Sequence, residues 1–211
     1  MNKNEQTKNN DNQSEAKVIS NNKDYKMTRV KRNSYLFEYD INNSNIQLSK
    51  ILDIDIIKLI YELNKHDIFE NFYLNIRNNS QATVFILFKH FYEDFGISQK
   101  YINLDISLER TDSQIIYKAT TNPIKPINNE TGIELLETNL YAELLPVYNV
   151  TTICELLTPH KVVIKTTTEF ENTKNMLDVP EFLERLATNI ISKIFLRTKQ
   201  FIEKVNITNI A

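Results

Sequence analysis

The chain of 211 residues contains two glycines, one cysteine and no tryptophan. Loops that cradle phosphate groups need several glycines at fixed spacing, so that backbone N–H groups can approach the ligand. Gly96 and Gly132 are too far apart in sequence to form such a loop. The single cysteine, Cys154, excludes an internal disulfide framework and is typical of a protein from a reducing compartment.

Long apolar runs and a strong charge of one sign are also missing. No stretch approaches the roughly 18 consecutive apolar residues of a membrane span, and the N-terminus lacks the apolar run of a secretory signal. The formal net charge is −2, whereas wrapping nucleic acid needs a concentrated positive field. We therefore predict a soluble cytoplasmic protein, or one of the host cytoplasm or the virion if the chain is viral, with no nucleic-acid partner.

The first part of the chain is polar and rich in Asn. Such a segment cannot bury enough apolar surface to offset the entropy of ordering, so we predict a disordered tail over 1–28 and one domain over 29–211. A basic cluster at the junction consists of Lys26, Arg29, Lys31 and Arg32. It is predicted to be a solvated linker, or alternatively a peripheral contact with an acidic lipid surface or with nucleic acid.

Alternation of apolar and polar residues predicts strands along most of the domain. The alternating segments are 35–41, 73–77, 83–89, 101–109, 114–119, a region at 138–157 that Pro146 interrupts, and 161–170. Apolar residues at helical spacing between Ser49 and Phe72 predict one or two short helices after the first strand. Short turns between consecutive strands indicate an antiparallel sheet, whose apolar face must be covered.

The segment from Asp178 to about Val205 predicts a long helix that provides this cover. Asp178 and Glu181 form a capping pattern at its beginning. Residues at spacings of three and four form an apolar stripe, namely Leu183, Leu186, Ile190 and Ile194. At about 1.5 Å per residue the helix would be roughly 40 Å long, so it needs a large apolar partner surface.

This order of elements resembles the helix-grip fold of the START lipid-transfer domains and the wider SRPBCC superfamily. Residues 88–120, FKHFYEDFGISQKYINLDISLERTDSQIIYKAT, resemble the central part of START-like domains, and residues 161–201 resemble their last strand and closing helix. The resemblance implies an α+β fold in which an antiparallel sheet of about six to seven strands wraps around the C-terminal helix. START domains often carry an Arg-Asp pair where this chain has Ser98-Gln99-Lys100-Tyr101, so the resemblance transfers no ligand-contacting residue.

The resemblance also implies an elongated cavity between the sheet and the helix. Alternation and helical spacing select its candidate ligand-binding residues, which are Ile102, Leu104, Ile106, Ile164, Thr166, Thr168, Leu186, Ile190 and Ile194. Thr166 and Thr168 would add hydroxyl groups to an apolar wall, a combination typical of ligand pockets. The alternative is a solid core without a cavity, because protein interiors are usually close packed.

Catalytic signatures are weak. Cys154 could pair with His160 as a nucleophile and base, and the alternative is a small buried cysteine. Glu143 and Glu155 could act as bases if they point inward, and otherwise they are solvated carboxylates. The three histidines lack the spacing of a zinc site. We therefore predict no enzymatic activity, no cofactor and no metal.

Two functions are compatible with these observations. The first is a soluble, non-enzymatic protein that binds a lipid or another hydrophobic small molecule between its sheet and its C-terminal helix. The second is a structural or interaction protein with a solid core and no ligand, for example in the assembly of a viral particle. The abundance of Asn, Ile, Lys and Tyr is typical of AT-rich genomes, including those of some large DNA viruses.

Overall fold

The computed structural model describes residues 16–91, 93–124, 141–145, 147–171 and 181–206. Within these ranges the chain forms ten β-strands, three α-helices and a 3₁₀ turn at Glu93–Phe95. The strands are β1 (Lys17–Asn21), β2 (Lys26–Lys31), β3 (Ser34–Asn42), β4 (Phe69–Asn78), β5 (Gln81–Phe88), β6 (Lys100–Arg110), β7 (Gln114–Thr121), β8 (Glu143–Leu144), β9 (Val147–Thr158) and β10 (Lys161–Phe170). The helices are α1 (Leu48–Ile51), α2 (Ile56–Asn64) and α3 (Glu181–Lys204).

The strands form one sheet in the order β1-β2-β3-β10-β9-β7-β6-β5-β4. All neighbours on this path are antiparallel, while the short β8 pairs in parallel with the beginning of β6. The predicted hairpins β4–β5 and β6–β7 are confirmed. The first and last predicted strands, β3 and β10, lie side by side, so the sheet brings the two ends of the predicted domain together.

The sheet has more strands than the sequence predicted, because residues 17–28 belong to it. The sequence placed this stretch in the tail, but it forms β1 and the first half of β2, and β2 pairs with β3. Three of its four apolar residues, Ile19, Tyr25 and Met27, contact the main core, whereas Val18 is 51% exposed. These few residues lie in a polar sequence, and the hairpin between β1 and β2 brings them together. Residues 1–15 of the predicted tail lie outside the described residues.

The long helix α3 packs against β3 and α2. The ring of Phe195 lies 5.5 Å from that of Phe37 and 5.8 Å from that of Tyr39, measured between centroids. Ile202, about two turns later, is only 1% exposed. The same core includes apolar residues of α1 and of the neighbouring strands, among them Ile41, Leu48, Leu52, Ile115, Val162 and Ile164. The C-terminal half of α3 therefore covers a closely packed core.

Polar contacts also attach α3 to the second half of β3. Pairing between β2 and β3 ends at Glu38. Beyond that point Lys199 Nζ donates to the main-chain carbonyl oxygen of Asp40 at 2.7 Å and to its carboxylate at 2.9 Å. The backbone N–H of Asn42 donates to the Glu203 carboxylate at 3.2 Å. Side chains of α3 thus form hydrogen bonds with the part of β3 that does not pair with β2.

The contact between Asp40 and Lys199 predicts a pH dependence of stability. The hydrogen bond from Lys199 is the main cause that lowers the pKa of Asp40. Burial alone would lower the pKa of Lys199, but its contacts with Asp40 and Glu203 outweigh burial and raise it. A carboxylate with a lowered pKa stabilises the fold above its unfolded pKa, about 4, and loses this contribution as the pH falls through its folded pKa. A lysine with a raised pKa stabilises below about 10.4 and loses its contribution as the pH rises through its folded pKa.

We therefore expect Asp40→Asn to lower stability between these limits, and the difference from the natural protein to shrink at both extremes of pH. Urea unfolding of both proteins across the pH range measures this difference. A difference that is independent of pH would show that the two charges contribute nothing as a pair.

Candidate functional site

The six strand residues selected from the sequence lie on one face of the sheet. Ile106 is opposite Ala119, Ala119 is opposite Val150, and Val150 is opposite Thr168. Directly opposite residues of antiparallel strands point to the same side, and alternate residues along a strand do so too. The register therefore places Ile102 and Leu104 of β6 and Ile164 and Thr166 of β10 on this inner face, which also packs against α3.

The inner face is closed at one end and open at the other. The closed row, in which no residue is more than 8% exposed, consists of Tyr39, Ile164 and Cys154. Four residues further along the same three strands is a row of half-buried residues, which consists of Tyr35, Thr168 and Val150. The side chains of these three strands are therefore buried at one end and partly exposed at the other.

A row of hydroxyl groups lies between these two rows. Thr152 and Thr166 are opposite each other, and their hydroxyl oxygens are 3.0 Å apart. Tyr117 is opposite Thr152, and its hydroxyl donates to the carbonyl oxygen of Asp53 at 3.2 Å. Burial, followed by the nearby Cys154, raises the pKa of Tyr117, so its phenol is neutral at physiological pH. The predicted hydroxyl of Thr166 is thus part of a polar strip across the floor of the site.

The helix residues selected from the sequence differ from those that the helix buries. Ile190 and Ile194 are half-buried, and the carbonyl oxygen of Ile194 lies 3.5 Å from the side-chain nitrogen of Asn64 in α2. The side chain of Leu186 lies outside the described residues. Among the side chains that the structure describes in the first half of α3, the buried ones are polar, namely Glu184, Thr188 and Ser192, each at most 6% exposed. These residues are four positions apart and so lie on one side of the helix, but a search for apolar stripes does not detect polar residues.

Glu184 belongs to a polar cluster at the open end of the site. Its carboxylate accepts from Arg29 Nη1 of β2 at 3.2 Å and from the hydroxyl of Tyr35. Burial and then the charge of Glu184 raise the pKa of Tyr35 to about 12, against the opposing effect of Arg29. The phenol therefore stays protonated at physiological pH and remains a hydrogen-bond donor to Glu184.

A cleft of about 370 Å³ lies where β1 meets the first turns of α3. Its lining consists of Lys17, Val18, Ile19, Ser20, Glu184, Arg185, Thr188 and Asn189. Glu184 and Thr188 are both buried and both line this cleft. The polar cluster therefore borders a recess at the surface as well as the open row of the sheet.

The residues weighed for catalysis are engaged elsewhere. Cys154 is 1% exposed, and burial raises the pKa of its thiol to about 12, so it stays protonated. The ring of His160 contacts the carbonyl oxygen of Ile46 at 2.8 Å, in the loop before α1.

Glu143 pairs with Lys100 at 2.5 Å, and this hydrogen bond is the main cause that lowers the pKa of the Glu143 carboxyl group. Glu155 pairs with Lys165 at 3.0 Å on the outer face. Among the described residues, no three His, Cys, Asp or Glu side chains gather to hold a metal ion.

The basic cluster at the beginning of the domain divides between the two faces of β2. Arg29 points to Glu184, and Lys31 pairs with Glu169 at 3.0 Å. Lys26 and Arg32 are exposed. Arg29 and Lys31 are thus paired with carboxylates, which reduces the field available for an acidic surface. In the part of the chain that the structure describes, no helix is long and apolar enough to cross a bilayer.

The sequence matches no protein-family model and no curated protein. Solved structures do match. The lipid transfer and protein localization domain of human StarD13 has a TM-score of 0.61 at 8% identity, over 90% of this chain and 90% of that one. Human StAR-related lipid transfer protein 5 has a TM-score of 0.58 at 11% identity, over 90% of this chain and 88% of that one. A STAR-related lipid transfer protein from Xanthomonas axonopodis has a TM-score of 0.56 at 9% identity, over 90% of this chain and 99% of that one. The chain therefore has the START-like helix-grip fold that the order of its elements predicted.

Proposed function

We propose that the protein is a non-enzymatic binding protein for a lipid or another hydrophobic small molecule, held between α3 and the open end of the sheet. The proposal rests on the difference in exposure between the two ends of the inner face. An interior filled by its own side chains would bury Thr168 and Val150 as completely as Ile164 and Cys154, because protein interiors are close packed. Their partial exposure indicates room for a ligand.

The chemistry of the wall supports a ligand that is mostly apolar. Ile102, Leu104 and Ile106 supply aliphatic surface, while Thr166 and Thr168 supply hydroxyl groups. Ligand pockets typically combine an apolar wall with a few polar groups. The structural relatives that are named lipid transfer proteins share this fold, which supports the same class of ligand here.

The positions of the possible catalytic groups favour binding over catalysis. Cys154 lies in the closed row and keeps its proton. Glu143 is exposed and Glu155 faces outward, and each is paired with a lysine. A general base must reach the proton that it abstracts, and both of these carboxylates are held in ion pairs with lysines.

Native mass spectrometry of the purified protein, followed by denaturing extraction, tests the proposal. We expect an additional mass that is released on denaturation. Val150→Trp should lower the bound fraction at least about tenfold, because an indole in the open row occupies the space of the ligand. Leu157→Trp is the matched control on the same strand, since Leu157 is 56% exposed.

A bare polypeptide mass, together with no thermal shift in a panel of neutral and charged lipids, would contradict ligand binding. That result would favour the second function, an interaction protein with a filled core. Equal loss of the bound mass in Val150→Trp and Leu157→Trp would place the ligand outside the inner face.

A further inference from the structure

Among the described residues, the carboxylate of Glu184 makes fewer hydrogen bonds than it can accept. An ionised carboxylate offers about four acceptor positions, and its contacts with Arg29 and Tyr35 occupy two of them. The side chain of Glu184 is 4% exposed, so any further partner must enter the cleft to reach it.

The charges at the foot of the cleft already balance. Arg29 carries one positive charge and Glu184 one negative charge. A charged ligand group at this depth would lack a counter-charge, and burying an unpaired charge is costly. Lys17 and Arg185 also line the cleft, but both are exposed, where water and salt weaken their field. The foot of the cleft therefore favours an uncharged group.

Thr188 adds a further acceptor beside the carboxylate. Its hydroxyl donates to the main-chain carbonyl oxygen of Glu184 at 2.7 Å, which leaves only the oxygen lone pairs for a ligand. The cleft thus presents acceptors on Glu184 and Thr188. A hydroxyl group can donate a hydrogen bond to either of them, whereas an ether oxygen cannot donate.

The cleft is continuous in register with the open row of the sheet. Arg29 is opposite Tyr35, and Tyr35 is opposite Thr168, which continues the row to Val150. A ligand whose apolar body lies along Thr168 and Val150 would therefore end beside Glu184.

We propose that the cleft between β1 and α3 binds an uncharged hydroxyl group at the end of an apolar ligand, with the hydroxyl donating to Glu184. This inference rests on the proposed function and specifies the class of ligand. It concerns hydrogen bonding alone and involves no covalent step.

Four probes with the same ten-carbon chain test it, namely 1-decanol, decyl methyl ether, decanoate and decylammonium. Their affinities are measured by displacement of the neutral dye Nile red. The ether accepts hydrogen bonds but cannot donate, so we expect decanol to bind about tenfold or more tightly than the ether, as for hydrogen bonds to charged groups. Decanoate and decylammonium should bind more weakly than decanol.

Glu184→Gln should reduce the preference for decanol over the ether to about threefold or less, because a neutral amide is a weaker acceptor than a carboxylate. Glu169→Gln is the matched control. It removes a carboxylate paired with Lys31 of the same strand β2, but on the outer face, so the preference should be unchanged. If Glu184→Gln does not fold, the double variant Arg29→Gln/Glu184→Gln removes both charges together and should show the same loss.

Equal affinity for decanol and the ether, or tighter binding of decanoate, would overturn the hydroxyl assignment. In that case displacement of Nile red would still show an apolar site, and the proposed function would stand. Failure of the dye and of all four probes to bind would instead contradict the proposed function itself.

Discussion

Replacing Ile202 with alanine should lower the free energy of unfolding by about 2–5 kcal/mol, the usual cost of an isoleucine-to-alanine change in a packed core. Ile202 is 1% exposed and belongs to the cluster that joins α3 to β3, β9 and β10. Alanine removes three carbon atoms and leaves a cavity that the surrounding Val162 and Leu48, both 0% exposed, cannot easily fill. Chemical denaturation followed by circular dichroism measures the loss.

The neighbouring residue provides the control. Phe201 is 44% exposed on the same helix, so Phe201→Ala changes helix propensity in the same direction but removes little buried surface. We expect it to cost less than about 1 kcal/mol. If Phe201→Ala proved the more costly of the two, the buried side of α3 would have to be reassigned.

The sheet could be predicted from the sequence because its signal is local. In β6 and β10 every second side chain faces the core, so Leu104, Leu108, Val162 and Ile164 form a pattern with a period of two. Turn residues between strands then determine which strands pair as hairpins. These two features were sufficient for the antiparallel sheet and for the order of elements that resembles the helix-grip fold.

β1 and the buried side of α3 depend on contacts between distant residues, which local patterns do not show. Glu184 is buried because Arg29, 155 residues earlier, neutralises it. Buried polar groups are tolerated where partners exist, and the basic cluster that contains Arg29 was predicted to be a solvated linker or, alternatively, a surface contact. An apolar stripe on a helix that borders both a sheet and a second helix does not determine which side is buried most deeply.

Local sequence patterns predict one part of the candidate site but not the other. Alternation was enough to place Ile106, Thr166 and Thr168 on one face, and the register bears this out. The open end of that face depends on how loops and α3 meet the sheet, which alternation does not describe. The cleft beside Glu184 follows from the docking of β1 on α3 and has no local signal at all.

Asn43→Ala should lower the free energy of unfolding by about 2–4 kcal/mol, because one side chain holds the end of α3 to the sheet. Its amide nitrogen donates to the carbonyl oxygens of Ile202 at 2.6 Å and of Val205 at 2.9 Å. The last carbonyls of a helix have no partner within the helix, and Asn43 is 3% exposed. Alanine would therefore leave the buried acceptor on Ile202 unsatisfied. Chemical denaturation measures the cost, and amide hydrogen exchange in the last turns of α3 should accelerate.

Asn45→Ala is the control for this variant. The side chain of Asn45 also bonds to the chain after α3, at Asn206, but both residues are exposed. Water can replace an exposed hydrogen bond, so we expect a change within about 0.5 kcal/mol. Similar small costs for both variants would mean that Lys199 and Ile202 alone fix the end of α3, and that the carbonyls released by Asn43→Ala find other donors. A large cost confined to Asn43→Ala would show that the loop after β3 anchors the helix that covers the core.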